Sequence, residues 1–88
     1  MVIIDKRLTK LREEIDAIDD ALARAILSRI LISRIAVKYK REIKLSPVDL
    51  KREKEVIDRV VKITNGEVSR QSFETIYETI FSEGKRCS

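Results

Sequence analysis

The chain has 88 residues and no histidine. That absence removes the commonest general base and the commonest zinc ligand together. Cysteine is nearly as scarce: Cys87 stands alone, one residue from the end of the sequence, so it has no partner for an internal disulfide and no second thiol for a metal site. Two glycines and one proline are too few for a fold made of turns and strands. No run of about 18 apolar residues is present to span a membrane, and the opening MVII is too short for the apolar core of a signal peptide. The expectation from these gaps is a soluble cytoplasmic protein, bound to no membrane and holding no metal.

What is there points to helices. Hydrophobic residues make up 43% of the chain and charged residues 39%, a mixture that suits long amphipathic helices, so an all-α fold is expected. Eighty-eight residues form one small domain, and a short chain buries too little surface to keep much core to itself. The formal charge is +4 and the pI about 9.4, which favours an anionic partner but does not separate nucleic acid from a small carboxylate or phosphate.

Apolar residues recur at Leu8, Leu11, Ile15, Ile18, Leu22 and Ala25, and the seam continues through Arg29 to Ile32, Ala36 and Tyr39. This three-four spacing predicts one very long N-terminal helix over about 6–42. Its stop is expected within REIKLSPVD, because a proline disfavours helix at the residue before it. Ser46 as N-cap, Pro47 at the first helical position and Asp49 at the third then predict a second helix over about 47–64, ended by Asn65 and Gly66 in a left-handed cap. A third helix over about 69–84 takes Ser69 as its N-cap and puts Phe73, Ile76, Tyr77, Ile80 and Phe81 on one face.

The first helix decides the expected assembly. At 1.5 Å per residue it reaches about 50 Å, whereas a compact chain of this size is only about 30 Å across. Most of its apolar seam needs a cover from outside the chain. An intertwined antiparallel homodimer, with long helices paired and short ones wrapped across, is the simplest cover.

Two arginines interrupt the most apolar run, AILSRILISRIAV. Arg29 lies in the seam itself and is predicted to meet an anion, since a bare guanidinium is costly to bury. Arg34 sits about 140° further round the helix and is predicted to extend into solvent. Lys40, eleven residues beyond Arg29, returns to within about 20° of its face. Arg12 lies about 25 Å from Arg29 and about 100° off that face, so it can serve only the pocket of a partner chain. On the second helix Asp49, Arg52 and Glu53 share one face near the start.

With these residues in order, the sequence resembles the all-helical chorismate mutases, from Leu8 to about Glu83. The likeness rests on LREEIDAID opening the first helix, on Arg29, on KYK ending at Lys40, and on VDLKREKEV, with the spacing Arg12, Arg29, Lys40, Asp49, Arg52, Glu53 kept without a gap. The resemblance implies an intertwined homodimer of three-helix chains that rearranges chorismate to prephenate, a step of phenylalanine and tyrosine biosynthesis, with no cofactor. It implies that Arg29, and Arg12 given by the other protomer, grip the two carboxylates, with Arg52 alongside. Lys40 would donate to the ether oxygen of the breaking bond, while Glu53 and the region of Asp49 hold the ring hydroxyl. Two further positions of the family, a small polar residue and a glutamine or glutamate near the end of the third helix, fall on Gly84 and Ser88. Serine is too short to replace glutamine, so a weaker enzyme is expected on that account.

Three other readings fit parts of the chain. An isochorismate-pyruvate lyase shares this fold, but the set Asp49, Arg52 and Glu53 looks like the mutase. A nucleic-acid-binding dimer suits the basic pI, yet REEIDAIDD interleaves both signs and no cationic stripe with aromatic platforms is present. A non-enzymatic helical dimerisation module explains the seam but not Arg29 within it, although one polar seam residue can also set register.

Overall fold

The computed structural model of the protein describes residues 5–86, so Cys87 and Ser88, the latter a candidate site residue, lie outside the described residues. Three helices follow in order: α1 Lys6–Glu42, α2 Leu50–Ile63 and α3 Arg70–Lys85. No strand occurs among the described residues, and the fold is all-α. None of these helices is long and apolar enough to cross a membrane.

Each helix begins on a side-chain cap. Asp5 Oδ1 accepts hydrogen bonds from the backbone amides of Arg7 and Leu8, at 2.9 and 3.1 Å, so two of the first orphan donors of α1 are satisfied. Ser69 Oγ accepts from the amide of Ser72 at 3.1 Å and starts α3. The start of α2 differs from the expectation. Asp49, not Ser46, is its N-cap, and Asp49 Oδ1 accepts from the amide of Arg52 at 3.0 Å. Ser46 Oγ accepts from the amide of Val48 at 3.1 Å instead, closing a tight local turn across Pro47 before the helix begins. Both residues are good caps in isolation; the carboxylate of Asp49 also complements the positive end of α2.

The first helix also ends for a reason other than the proline. Lys44 adopts a left-handed backbone (φ 63°), its amide donates to the carbonyl of Arg41, and the amide of Leu45 donates to that of Lys40. These two bonds close the helix end three residues before Pro47. Asn65 (φ 51°) and Gly66 (φ 77°) end α2 with the same pair of bonds, to the carbonyls of Lys62 and Val61.

Packing within the chain is thin. Helix α3 lies against both α1 and α2, while no Cα of α1 comes within 8 Å of one in α2 among the described residues. The buried apolar residues described are Val37, Val56, Ile57 and Ile80. Along α1 the apolar seam stays in the open, from Leu8 at 44% exposed to Ile32 at 67%. The chain extends 63 × 30 × 19 Å with a radius of gyration of 17.5 Å, against about 12 Å for a compact domain of this length. The long helix is therefore the scaffold, and α3 is the strut that fixes α2 against its C-terminal half.

Two contacts hold that strut. Gly84 is buried against Ser33 of α1, and a Cβ added to it would lie 2.8 Å from Ser33 Cβ. No side chain fits at this crossing. Gly84→Ala is expected to push α3 away from α1 and cost about 1–3 kcal/mol by overpacking, read as a lower midpoint in urea unfolding, with Ser33→Gly in the same chain restoring much of the loss. A midpoint within error of the parent would show that the helices separate freely here.

The second contact corrects the expectation for Arg34. Its side chain does not run out into water: Nε donates to the backbone carbonyl of Glu83 at 3.0 Å, and Nη2 meets Glu83 Oε2 at 3.2 Å. The last carbonyls of a helix lack partners within it and carry partial negative charge, so the end of α3 is where a cation on this face of α1 is best placed. Arg34→Met is expected to destabilise the chain by about 1–2 kcal/mol, the scale of a hydrogen bond to a charged group that is partly screened. A change below about 0.3 kcal/mol in chemical unfolding, the usual size for an unengaged surface group, would refute that role.

Candidate active site

Because α1 and α2 stay apart, a cleft of about 670 Å³ opens between them, closed on its third side by the end of α3. This volume falls in the usual range for small-molecule sites. Ile32, Val37, Val56 and Phe81 supply apolar wall. Around it stand Arg29 and Lys40 from α1, Asp49 at the cap of α2, Arg52 and Glu53 in its first turn, and Gly84 from α3. Six of the eight candidate residues read from the sequence thus border one space. Arg12 does not: it sits on an exposed stretch of α1 away from the cleft.

Arg29 is half-buried, and its charge already has company within the chain. Its guanidinium carbon lies 5.5 Å from the centroid of the Tyr77 ring and 5.2 Å from that of Phe81. The faces of aromatic rings carry partial negative charge, so this arrangement offsets part of the cost of removing the cation from water. Tyr77 and Phe81 are themselves stacked at a tilt, centroids 5.5 Å apart, with Phe73 continuing the row. The aromatic face of α3 is therefore a cushion for Arg29 as well as packing. The Ser33 hydroxyl, at 3.5 Å from Nη1, is a long contact at most.

The other charges differ in how far they are engaged. Arg52 pairs loosely with Glu55 at 3.7 Å on the open surface, and one oxygen of Asp49 is committed to the helix cap. Glu53 Oε2 lies 2.6 Å from Nζ of Lys85, a residue the sequence reading did not select. A signal for it existed: Tyr77, Phe81 and Lys85 are successive steps of four, hence one row of α3. Neither Arg29 nor Lys40 forms an ion pair among the described residues. Two cations of α1 thus face the cleft with no carboxylate partner among the described residues.

Gly84 borders the cleft without a side chain to offer. Its close approach to Ser33 leaves no room for the small polar residue that the resemblance would put there. What this position supplies is proximity between α3 and α1.

A second groove, between α2 and α3, has a similar volume of about 690 Å³ but a different electrostatic character. Its cations face acids: Arg70 meets Asp58 at 2.5 Å and Lys54 meets Asp58 at 3.9 Å. The hydrogen bond from Arg70 holds the Asp58 carboxyl below the usual carboxylate range. Paired charges of this kind exert little pull on a ligand.

Three helices thus bring Arg29 and Lys40, without ion pairs among the described residues, to one apolar-walled cleft of a small all-helical protein. The chain belongs to the chorismate mutase type II family, whose model matches residues 11–87. No curated protein and no solved structure matches it at a significant level.

Proposed function

We propose that the protein converts chorismate to prephenate and does so as a homodimer. The observation that carries this reading is the pair of cations, Arg29 and Lys40, that face one cleft beside Arg52 with no carboxylate partner among the described residues. Chorismate is a dicarboxylate, and family membership supplies it as the substrate class. The reaction is a unimolecular [3,3] rearrangement: a carbon–oxygen bond breaks as a carbon–carbon bond forms, and no proton leaves or enters. It requires no base, nucleophile, metal or cofactor, so a chain without histidine is adequate to it.

The work left for the protein is selection and electrostatics. Arg29 grips one carboxylate, with Arg52 alongside, and favours the compact conformer in which the bond-forming carbons approach. The ether oxygen gains negative charge as its bond stretches, and the Lys40 ammonium donates to it there. Glu53 and the Asp49 cap region receive the ring hydroxyl. Arg12 of an antiparallel partner is the group proposed to grip the second carboxylate. The exposed seam of α1 is what such a partner would cover. Arg29, Lys40 and Glu53 are thus the proposed catalytic set, and Ser88 is the proposed equivalent of the family's glutamine.

Incubation of the purified protein with chorismate tests this directly. Loss of chorismate with matching gain of prephenate, above the uncatalysed rate, is the expected result. Turnover indistinguishable from background in the folded protein would reject the reading. Pyruvate release from isochorismate at a higher kcat/KM would reassign the chain to lyase chemistry on the same cleft.

A further inference from the structure

Lys85 is the charged residue of the cleft with no place in the roles above. Its Nζ lies 2.6 Å from Glu53 Oε2, and the two side chains are 32% and 24% exposed, against 62% and 53% for the surface pair Arg52 and Glu55. A pair withdrawn from water is screened less by salt and holds its geometry better. The pair also spans two elements, joining the first turn of α2 to the last turn of α3.

Its electrostatic setting gives this contact a consequence. Two acidic residues border the cleft, Asp49 and Glu53. Asp49 has one oxygen committed to the helix cap, and Glu53 is paired with Lys85. Arg29 and Lys40 are left without carboxylates among the described residues. A glutamate released from Lys85 would stand among Arg29, Lys40 and Arg52 around one cleft, where the attraction between unit charges at about 4 Å exceeds that in bulk water. We propose that Lys85 is a positioning residue: by holding Glu53 against α3 it keeps that carboxylate from neutralising Lys40, and so keeps the cleft open to an anionic substrate.

The kinetic part of this proposal rests on chorismate being the substrate; the structural part does not. Two measurements on the same four proteins separate them: the parent chain, Lys85→Met, Glu53→Gln, and the double variant. In the absence of ligand, brief treatment with acetic anhydride followed by mass spectrometry reads how freely Lys40 reacts. Lys85→Met is expected to slow acetylation of Lys40 about threefold, and adding Glu53→Gln is expected to restore it. Equal acetylation of Lys40 in the parent and in Lys85→Met would overturn the proposal, whatever the substrate is.

With chorismate, Lys85→Met is expected to raise KM about tenfold with a smaller effect on kcat, and Lys85→Arg to recover most of the loss. On the Glu53→Gln background the same Lys85→Met change is expected to alter KM less than twofold, because the competing carboxylate is gone. An equal rise in KM on both backgrounds would mean that Lys85 does not act through Glu53, and would likewise overturn it. If acetylation follows the expected pattern while the parent protein turns over no chorismate, the proposed reaction fails and the role of Lys85 stands.

Discussion

Lys40→Met lowers kcat by about a thousandfold while KM rises only a few fold; this is the expected result with the largest effect on the chemical step. The argument is one of differential binding. The ether oxygen of the substrate carries little charge in the ground state and gains it only as the carbon–oxygen bond stretches. A donor aimed at that oxygen therefore helps the transition state more than the bound substrate, and its removal falls on kcat. Loss of a single preorganised donor at a developing oxyanion costs about 10²–10³ in rate. Lys40 stands at the upper end because it is charged and because no carboxylate among the described residues neutralises it. Methionine keeps the apolar stem of lysine and most of its length while removing the charge. Steady-state kinetics with chorismate, together with an unfolding curve to exclude loss of fold, provide the check. A tenfold rise in KM with kcat intact would show that Lys40 merely attracts the substrate.

Mixing two dead proteins is expected to give a live one. Arg29→Ala and Arg12→Ala chains are each expected to lose at least two orders of magnitude in kcat/KM, since a carboxylate left without its guanidinium forfeits both a charge-assisted hydrogen bond and the conformer it stabilised. After unfolding and refolding together, heterodimers form. One cleft of each heterodimer combines Arg29 of one chain with Arg12 of the other, and the opposite cleft lacks both. With random assembly about half of the dimers are mixed, and half of their clefts are intact, so roughly a quarter of the parent activity per cleft is expected to return. No recovery, with chain exchange demonstrated by mass, would refute the sharing of sites. The rescue also reads the antiparallel arrangement, because only that arrangement brings the N-terminal half of one α1 to the C-terminal half of the other. The geometry behind this expectation is concrete: Arg12 is exposed and remote from the cleft of its own chain, and the seam between them is open along its length.

Helix content and phase were legible from the sequence because both are local. The three-four spacing from Leu8 onward marks α1, and capping chemistry marks the start of α3 at Ser69. The same periodicity set Arg29 and Lys40 on one face of α1 and Asp49, Arg52 and Glu53 on one face of α2. Boundaries that depended on a choice between competing local bonds were less legible. Ser46 and Asp49 are both good caps, and Lys44 rather than a glycine takes the left-handed residue that stops α1.

What the sequence by itself determined, then, is which residues share a helical face, since rise and turn per residue are constants of the backbone. What only the tertiary structure decided is which faces meet. Lys85 reaching Glu53, Arg34 closing the end of α3, Tyr77 and Phe81 lying under Arg29, and Gly84 pressing on Ser33 all join residues distant in sequence. Their distances follow from how α3 crosses α1 and α2, a packing solution that no single helix contains.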